Sequence, residues 1–152
     1  VEDLNLYEEY KQKGMQFFNK KDYEKAELYL VQALEIDHEI FIYEKLVECY
    51  KLLKKSSLEL KLLEKANYEY PFKDEFIYRL HLLHKGFKNY HKAIDYGERY
   101  RIYHPEDIHI LISLADTYRL NKNKELCLKF INLAEKIQPK HKLIIKLKEL
   151  IK

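Results

Sequence analysis

The sequence predicts an all-α chain of antiparallel helix pairs, and three observations carry that expectation. Its only prolines, Pro71, Pro105 and Pro139, stand 34 residues apart. A helix does not run through such a residue, which lacks an N–H and clashes with the preceding turn. Reading back from each proline, every interval holds two helical stretches of about 13 residues joined by a short polar turn, the connection that antiparallel helices need. Gly and Pro number three each in 152 residues, so there is little material for long loops. Strand-like alternation is scarce. Stops at a fixed interval mark one unit repeated, each unit too small to fold alone. Hydrophobic residues at 47% and charged residues at 35% fit a folded, soluble chain.

Taken in order, the units are expected over 7–39, 40–73, 74–107 and 108–141. Their turns read Asn19-Lys20-Lys21-Asp22, Lys54-Lys55-Ser56-Ser57, Lys88-Asn89 and Asn121-Lys122-Asn123-Lys124. Five residues before each closing position stands a residue expected against the partner helix: Ala33, Ala66 and Ala134 in three units, Tyr100 in the third. The tail, 142–152, is expected to form a capping helix. Leu143, Leu147, Leu150 and Ile151 share one face, ringed by Lys142, Lys146, Lys148 and Lys152. Ile144 and Ile145 fall outside that stripe, which leaves a truncated fifth unit as the alternative. A basic amphipathic helix can also touch a membrane surface.

With these residues in place, the chain resembles the tetratricopeptide repeat (TPR) family over nearly its whole length. The first unit carries Tyr10, Lys13, Gly14 and Phe17, then Asp22, Tyr23 and Ala26, then Leu30, Ala33 and Leu34. The second has Tyr43, Leu46, Tyr50, Leu63, Ala66 and Pro71. The third has Asn89, Tyr90, Ala93, Ile94 and Pro105, and the fourth Leu111, Leu114, Ala115, Tyr118, Ile131, Ala134 and Pro139. Departures are local. His38 replaces a closing proline, and Glu59 falls where a small residue is usual. His81 and His84 stand where Gly or Ala and Tyr are typical, with Ala93 and Gly97 expected to leave room for their rings.

The resemblance implies a right-handed superhelical solenoid whose first helices line a concave groove. That groove is expected to hold a partner protein or peptide segment, with no cofactor and no chemistry of its own. The first unit would present Lys11, Met15 and Phe18; the second Phe41, Glu44, Lys45, Glu48 and Lys51; the third Tyr78, Arg79, Leu82 and Lys85; the fourth Ile112, Asp116 and Arg119. Glu8, Gln12, Asn19, Glu75, His109 and Ser113 project to the same side. Apolar anchors among charges of both signs suit an extended or helical peptide, with the cations orienting an acidic segment. The rival expectation is a solvated face whose charges pair with one another.

A chaperone-tail clamp is disfavoured. Lys11 and Arg79 match two of its members, but Met15, Lys45 and Glu75 replace the others, and Glu44 and Glu48 would repel a terminal carboxylate. Residues 1–40 carry 5 basic and 10 acidic groups, whereas 119–152 carry 10 and 3. Ends of opposite sign favour a structural or self-assembly module as the alternative function. The projected groove has no continuous basic stripe, which argues against nucleic acid, although helical repeats of this length can read RNA. Three glycines could hardly build a phosphate loop or nucleophile elbow. His81, His84 and His91 are a weak metal motif, since two of them fall at inter-helix packing positions. Cys49 and Cys127 lack CxxC spacing and are expected as buried thiols. No apolar run approaches the roughly 20 residues that span a bilayer. A cytoplasmic location is the default, but the chain opens at Val1 without Met and reads as a fragment. Periplasmic or membrane-tethered settings therefore stay open.

Overall fold

The computed structural model describes residues 2–152, which form nine α-helices and no strand among the described residues. The chain divides into two compact units, one running through Pro71 and one from Phe72. Within each unit the helices follow one another through short turns and pack consecutively, as expected for antiparallel helix pairs.

The first unit contains α1 (Glu2–Asn19), α2 (Tyr23–Ile36), α3 (Ile40–Leu52) and α4 (Ser56–Glu69). At 18 residues, α1 is longer than its sequence predicts. Nothing between Glu2 and Tyr7 breaks a helix, and Glu2 and Asp3 lie in the first turn, where the helix dipole favours acidic groups. Ala26, Ala33 and Ala66 are fully buried, which lets neighbouring helices approach closely. His38 takes over a closing role. Its ring Nδ1 lies 2.6 Å from Glu69 Oε1, and its carbonyl accepts a 2.6 Å bond from the Tyr70 hydroxyl. The Tyr43 hydroxyl donates to the other Glu69 oxygen at 2.7 Å. Burial alone would raise the Glu69 carboxyl, but these hydrogen bonds hold it below its ordinary range.

The second unit contains α5 (Asp74–Gly86), α6 (Tyr90–Tyr103), α7 (Ile108–Leu120), α8 (Lys124–Ile137) and α9 (Lys142–Leu150). Its core joins Ile110, Leu111, Leu114 and Ala115 of α7 to Cys127, Phe130, Ile131 and Ala134 of α8. Ile144 and Leu147 of α9 complete that core. Here the expected face of the last helix is corrected. Ile144, Leu147 and Ile151 turn inward, while Leu143 and Leu150 remain 47% and 52% exposed. The helix carries aliphatic residues on two adjoining faces that share Leu147, so periodicity alone leaves its rotation open. Packing on α7 and α8 selects the isoleucine face.

One backbone device recurs in all four of the turns that join paired helices. Lys21, Lys54, Lys88 and Lys122 adopt left-handed conformations with φ of 62°, 58°, 62° and 62°. The residue after each lysine donates its N–H back to Phe17, Tyr50, His84 or Tyr118 at 2.8–2.9 Å. Each lysine N–H in turn bonds the carbonyl three residues earlier. This is the Schellman arrangement, which satisfies the orphan carbonyls of a helix end and is usually built on glycine. Asp22 and Asn123 then cap the following helices through the N–H groups of Lys25 and Leu126.

Candidate functional site

In the first unit, residues of α1 and α3 from the expected binding set form a row of alternating cations and rings. The Lys11 ammonium stands 5.1 Å from the Phe41 ring centroid and 3.1 Å from Glu39. Lys45 stands 5.5 Å from Phe41 and 5.0 Å from Phe18. Phe18 also packs edge-on against Tyr23. Glu39 is held below its ordinary range by the Tyr7 hydroxyl and by Lys11. Phe18 and Phe41 are thus half-buried rings already engaged by lysines of their own chain. Met15, Glu44 and Glu48 lie half-buried on the same helices, and Lys51 is exposed.

The second unit contains a concave pocket of about 410 Å³, bounded by α5, α7 and α9. It brings together Tyr78, Lys85, Ile112, Asp116 and Arg119 of the expected binding set, with His109 and Ser113 beside them. Arg79 and Leu82 do not line it. The remaining wall is Leu143, Lys146, Leu147 and Leu150 of α9, the helix expected to cap its neighbours or to begin a truncated fifth unit. The signal was present, since Leu143, Leu147 and Leu150 recur at helical spacing with Lys146 among them. All three leucines line the cavity, and Leu147 alone of them also meets the core.

Asp116 organises the polar end of the pocket. It accepts from Lys85 at 2.9 Å and from Arg119 at 2.7 Å. Burial alone would raise its carboxyl, but the two cations outweigh that and hold it ionised below its ordinary range. Beneath it, His81 ties three helices together. Its Nδ1 lies 2.7 Å from the Ala93 carbonyl, which can only accept, so that nitrogen carries the proton. Nε2 therefore accepts the Ser113 hydroxyl proton at 2.6 Å. The ring fits because α6 presents Gly97, where a Cβ would stand 2.8 Å from His81 Nδ1. The space expected beside Ala93 and Gly97 is thus used by His81.

A serine bonded to a histidine invites a nucleophilic reading, but the basicity is wrong. Burial, reinforced by the nearby Lys85 charge, pushes His81 down to about 4, well below the range of an effective base at neutral pH. Through its two bonds the ring links α5 to α6 and α7. Cys49 and Cys127 are buried free thiols, and burial pushes both upward, Cys49 to about 12. No group of three potential metal ligands occurs among the described residues, and no helix there is long and apolar enough to cross a membrane.

No family model matches the sequence, and no curated protein matches it either. Solved structures do. YrrB, described as a TPR protein with an unusual peptide-binding site, superposes with a TM-score of 0.77 at 20% identity, covering 92% of this chain and 73% of YrrB. The chain has the tetratricopeptide-repeat fold. A mutant of MamA aligns with a TM-score of 0.81 at 14% identity, over 96% of this chain and 81% of that one. A TPR protein from Parabacteroides merdae gives 0.82 at 16% identity and 97% coverage, although this chain spans only 59% of its length. Identities this low establish the shared TPR architecture and leave the ligand to be argued from the residues.

Proposed function

We propose that this TPR chain is a protein-interaction scaffold that holds a segment of a partner protein on the face of its first helices, with no chemistry of its own. The observation that carries the reading is the pocket of the second unit. It pairs an apolar wall with a few convergent polar groups, the composition of a recognition site. YrrB, with the same fold, has a peptide-binding site. The cation–ring row of Lys11, Phe41, Lys45 and Phe18 offers a second binding surface on the first unit. The test is site-specific photo-crosslinking in lysate of the source organism. A crosslinking amino acid replacing Tyr78 or Leu143 is expected to trap a discrete partner, whereas one replacing exposed Leu128 on α8 is not. Crosslinks from Leu128 alone, or from none of the three, would refute groove binding.

Ile102 and Tyr103 support a second reading. They end α6 and are 65% and 70% exposed. Apolar side chains this open on a second helix suit a contact outside the groove, such as assembly with another copy.

A further inference from the structure

We propose that the pocket of the second unit recognises a peptide segment carrying a large apolar side chain beside a carboxylate, with Lys146 as the anion-selecting residue. This rests on the peptide-binding reading above and assigns its ligand chemistry. The apolar half is set by α9. Its inward face is committed to the core through Ile144 and Leu147, yet Leu143 and Leu150 stay about half exposed at the pocket edge. With Ile112 and Tyr78 opposite, they form a wall whose burial against a ligand is favourable at about 25 cal/mol per Å². A volume of about 410 Å³ holds one or two side chains rather than a whole folded element.

The charge follows from the pairing inside the pocket. Three cations, Lys85, Arg119 and Lys146, face one anion, Asp116. Lys85 and Arg119 are both paired with Asp116, so the polar end is already organised. Lys146 is exposed and has no ion pair among the described residues. It stands three residues after Leu143 and four before Leu150, on the same side of α9 as both. A ligand that seats an apolar side chain on these leucines therefore brings its neighbouring residues to the Lys146 ammonium. A carboxylate there gains an ion pair; a lysine or arginine there meets uncompensated like charge. A purely apolar ligand leaves Lys146 unused, and a purely acidic one leaves the leucine wall in water.

Panning the full chain against a random peptide-display library tests this ligand chemistry directly, whatever the natural partner. Enriched sequences are expected to place Leu, Ile, Met or Phe within two positions of Asp or Glu. The same peptides, synthesised and measured by fluorescence anisotropy, should bind Lys146→Ala about three- to fivefold more weakly, the scale of an exposed ion pair. They should lose more on Leu150→Asp, and Lys146→Glu should shift panning toward basic neighbours. Both residues are exposed, and circular dichroism checks that each variant remains folded. Enrichment without acidic bias, or affinity indifferent to Lys146→Ala and Leu150→Asp, would overturn the ligand assignment and leave the scaffold reading standing. No enriched peptide at all would overturn both. Concentration-dependent self-association abolished by Lys146→Glu would assign the pocket to a second copy of this chain and overturn the proposal.

Discussion

Replacing Gly97 by alanine should destabilise the protein, against the usual effect of that change in a helix. Inside an unconstrained helix the substitution gains about 1 kcal/mol from backbone entropy and propensity. At this position the new Cβ would sit 2.6 Å from Leu114 Cδ2 and 2.8 Å from His81 Nδ1. Leu114 is fully buried, and the His81 ring is fixed by bonds at both nitrogens. Overpacking of this kind costs about 1–3 kcal/mol. If the ring shifts enough to lose one buried hydrogen bond, a further 1–3 kcal/mol or so is lost. With both losses the balance is a net destabilisation of about 1–5 kcal/mol, read as a lower urea midpoint at unchanged slope. Gly86→Ala is the control, because nothing lies within 4 Å of its added Cβ, and it should be neutral or mildly stabilising. In a His81→Ala background the penalty at position 97 should shrink by about 1–2 kcal/mol, the coupling expected of residues in contact. A Gly97→Ala protein as stable as the parent, or strict additivity with His81→Ala, would refute the packing argument.

The same histidine makes stability depend on pH. His81 is held down to about 4 by burial, against about 6.5 in an unfolded chain, so its contribution is intact above pH 6.5 and lost as pH falls toward 4. That loss should reach roughly 3 kcal/mol, and urea titrations at pH 7 and 4.5 should show a shallower decline for His81→Gln than for the parent. Lys88→Gly should raise stability by about 0.5–1 kcal/mol, since a left-handed non-glycine residue costs about 1–2 and glycine returns about 0.5–1 to the unfolded chain. A lower urea midpoint would show that the Lys88 side chain contributes more than its backbone strain removes. Cys49 and Cys127 should resist Ellman's reagent at pH 8 in the folded protein and react fully in urea, because burial suppresses both thiolates. Rapid native labelling would contradict their burial.

The parts of the fold legible in the sequence are those where one residue type has one physical role. Proline ends helices, so Pro71, Pro105 and Pro139 reveal the period. Alanine permits close approach, and Ala33, Ala66 and Ala134 are all fully buried. His81 was legible for the same reason, because a large ring at a small-residue position needs a gap opposite, and Gly97 provides it. Less legible were features whose signal is shared by several roles. A left-handed turn residue is normally sought as glycine or asparagine, yet here lysine fills all four. Only their spacing, matching the proline interval to within a residue, could have exposed them.

The last helix combines both difficulties. Its consecutive Leu143, Ile144 and Ile145 give no unique apolar stripe, so the sequence fits more than one rotation about the helix axis. The core selects Ile144, and that selection turns Leu143 and Leu150 toward the pocket. A rotation of one residue, about 100°, separates a helix that only closes the core from one that also lines the pocket. Of the residues projected from α5 and α7, Tyr78, Lys85, Ile112, Asp116 and Arg119 line the pocket and Arg79 and Leu82 do not. The α9 residues that line the pocket were not projected, because the helix's second apolar face became visible only when the first had been assigned.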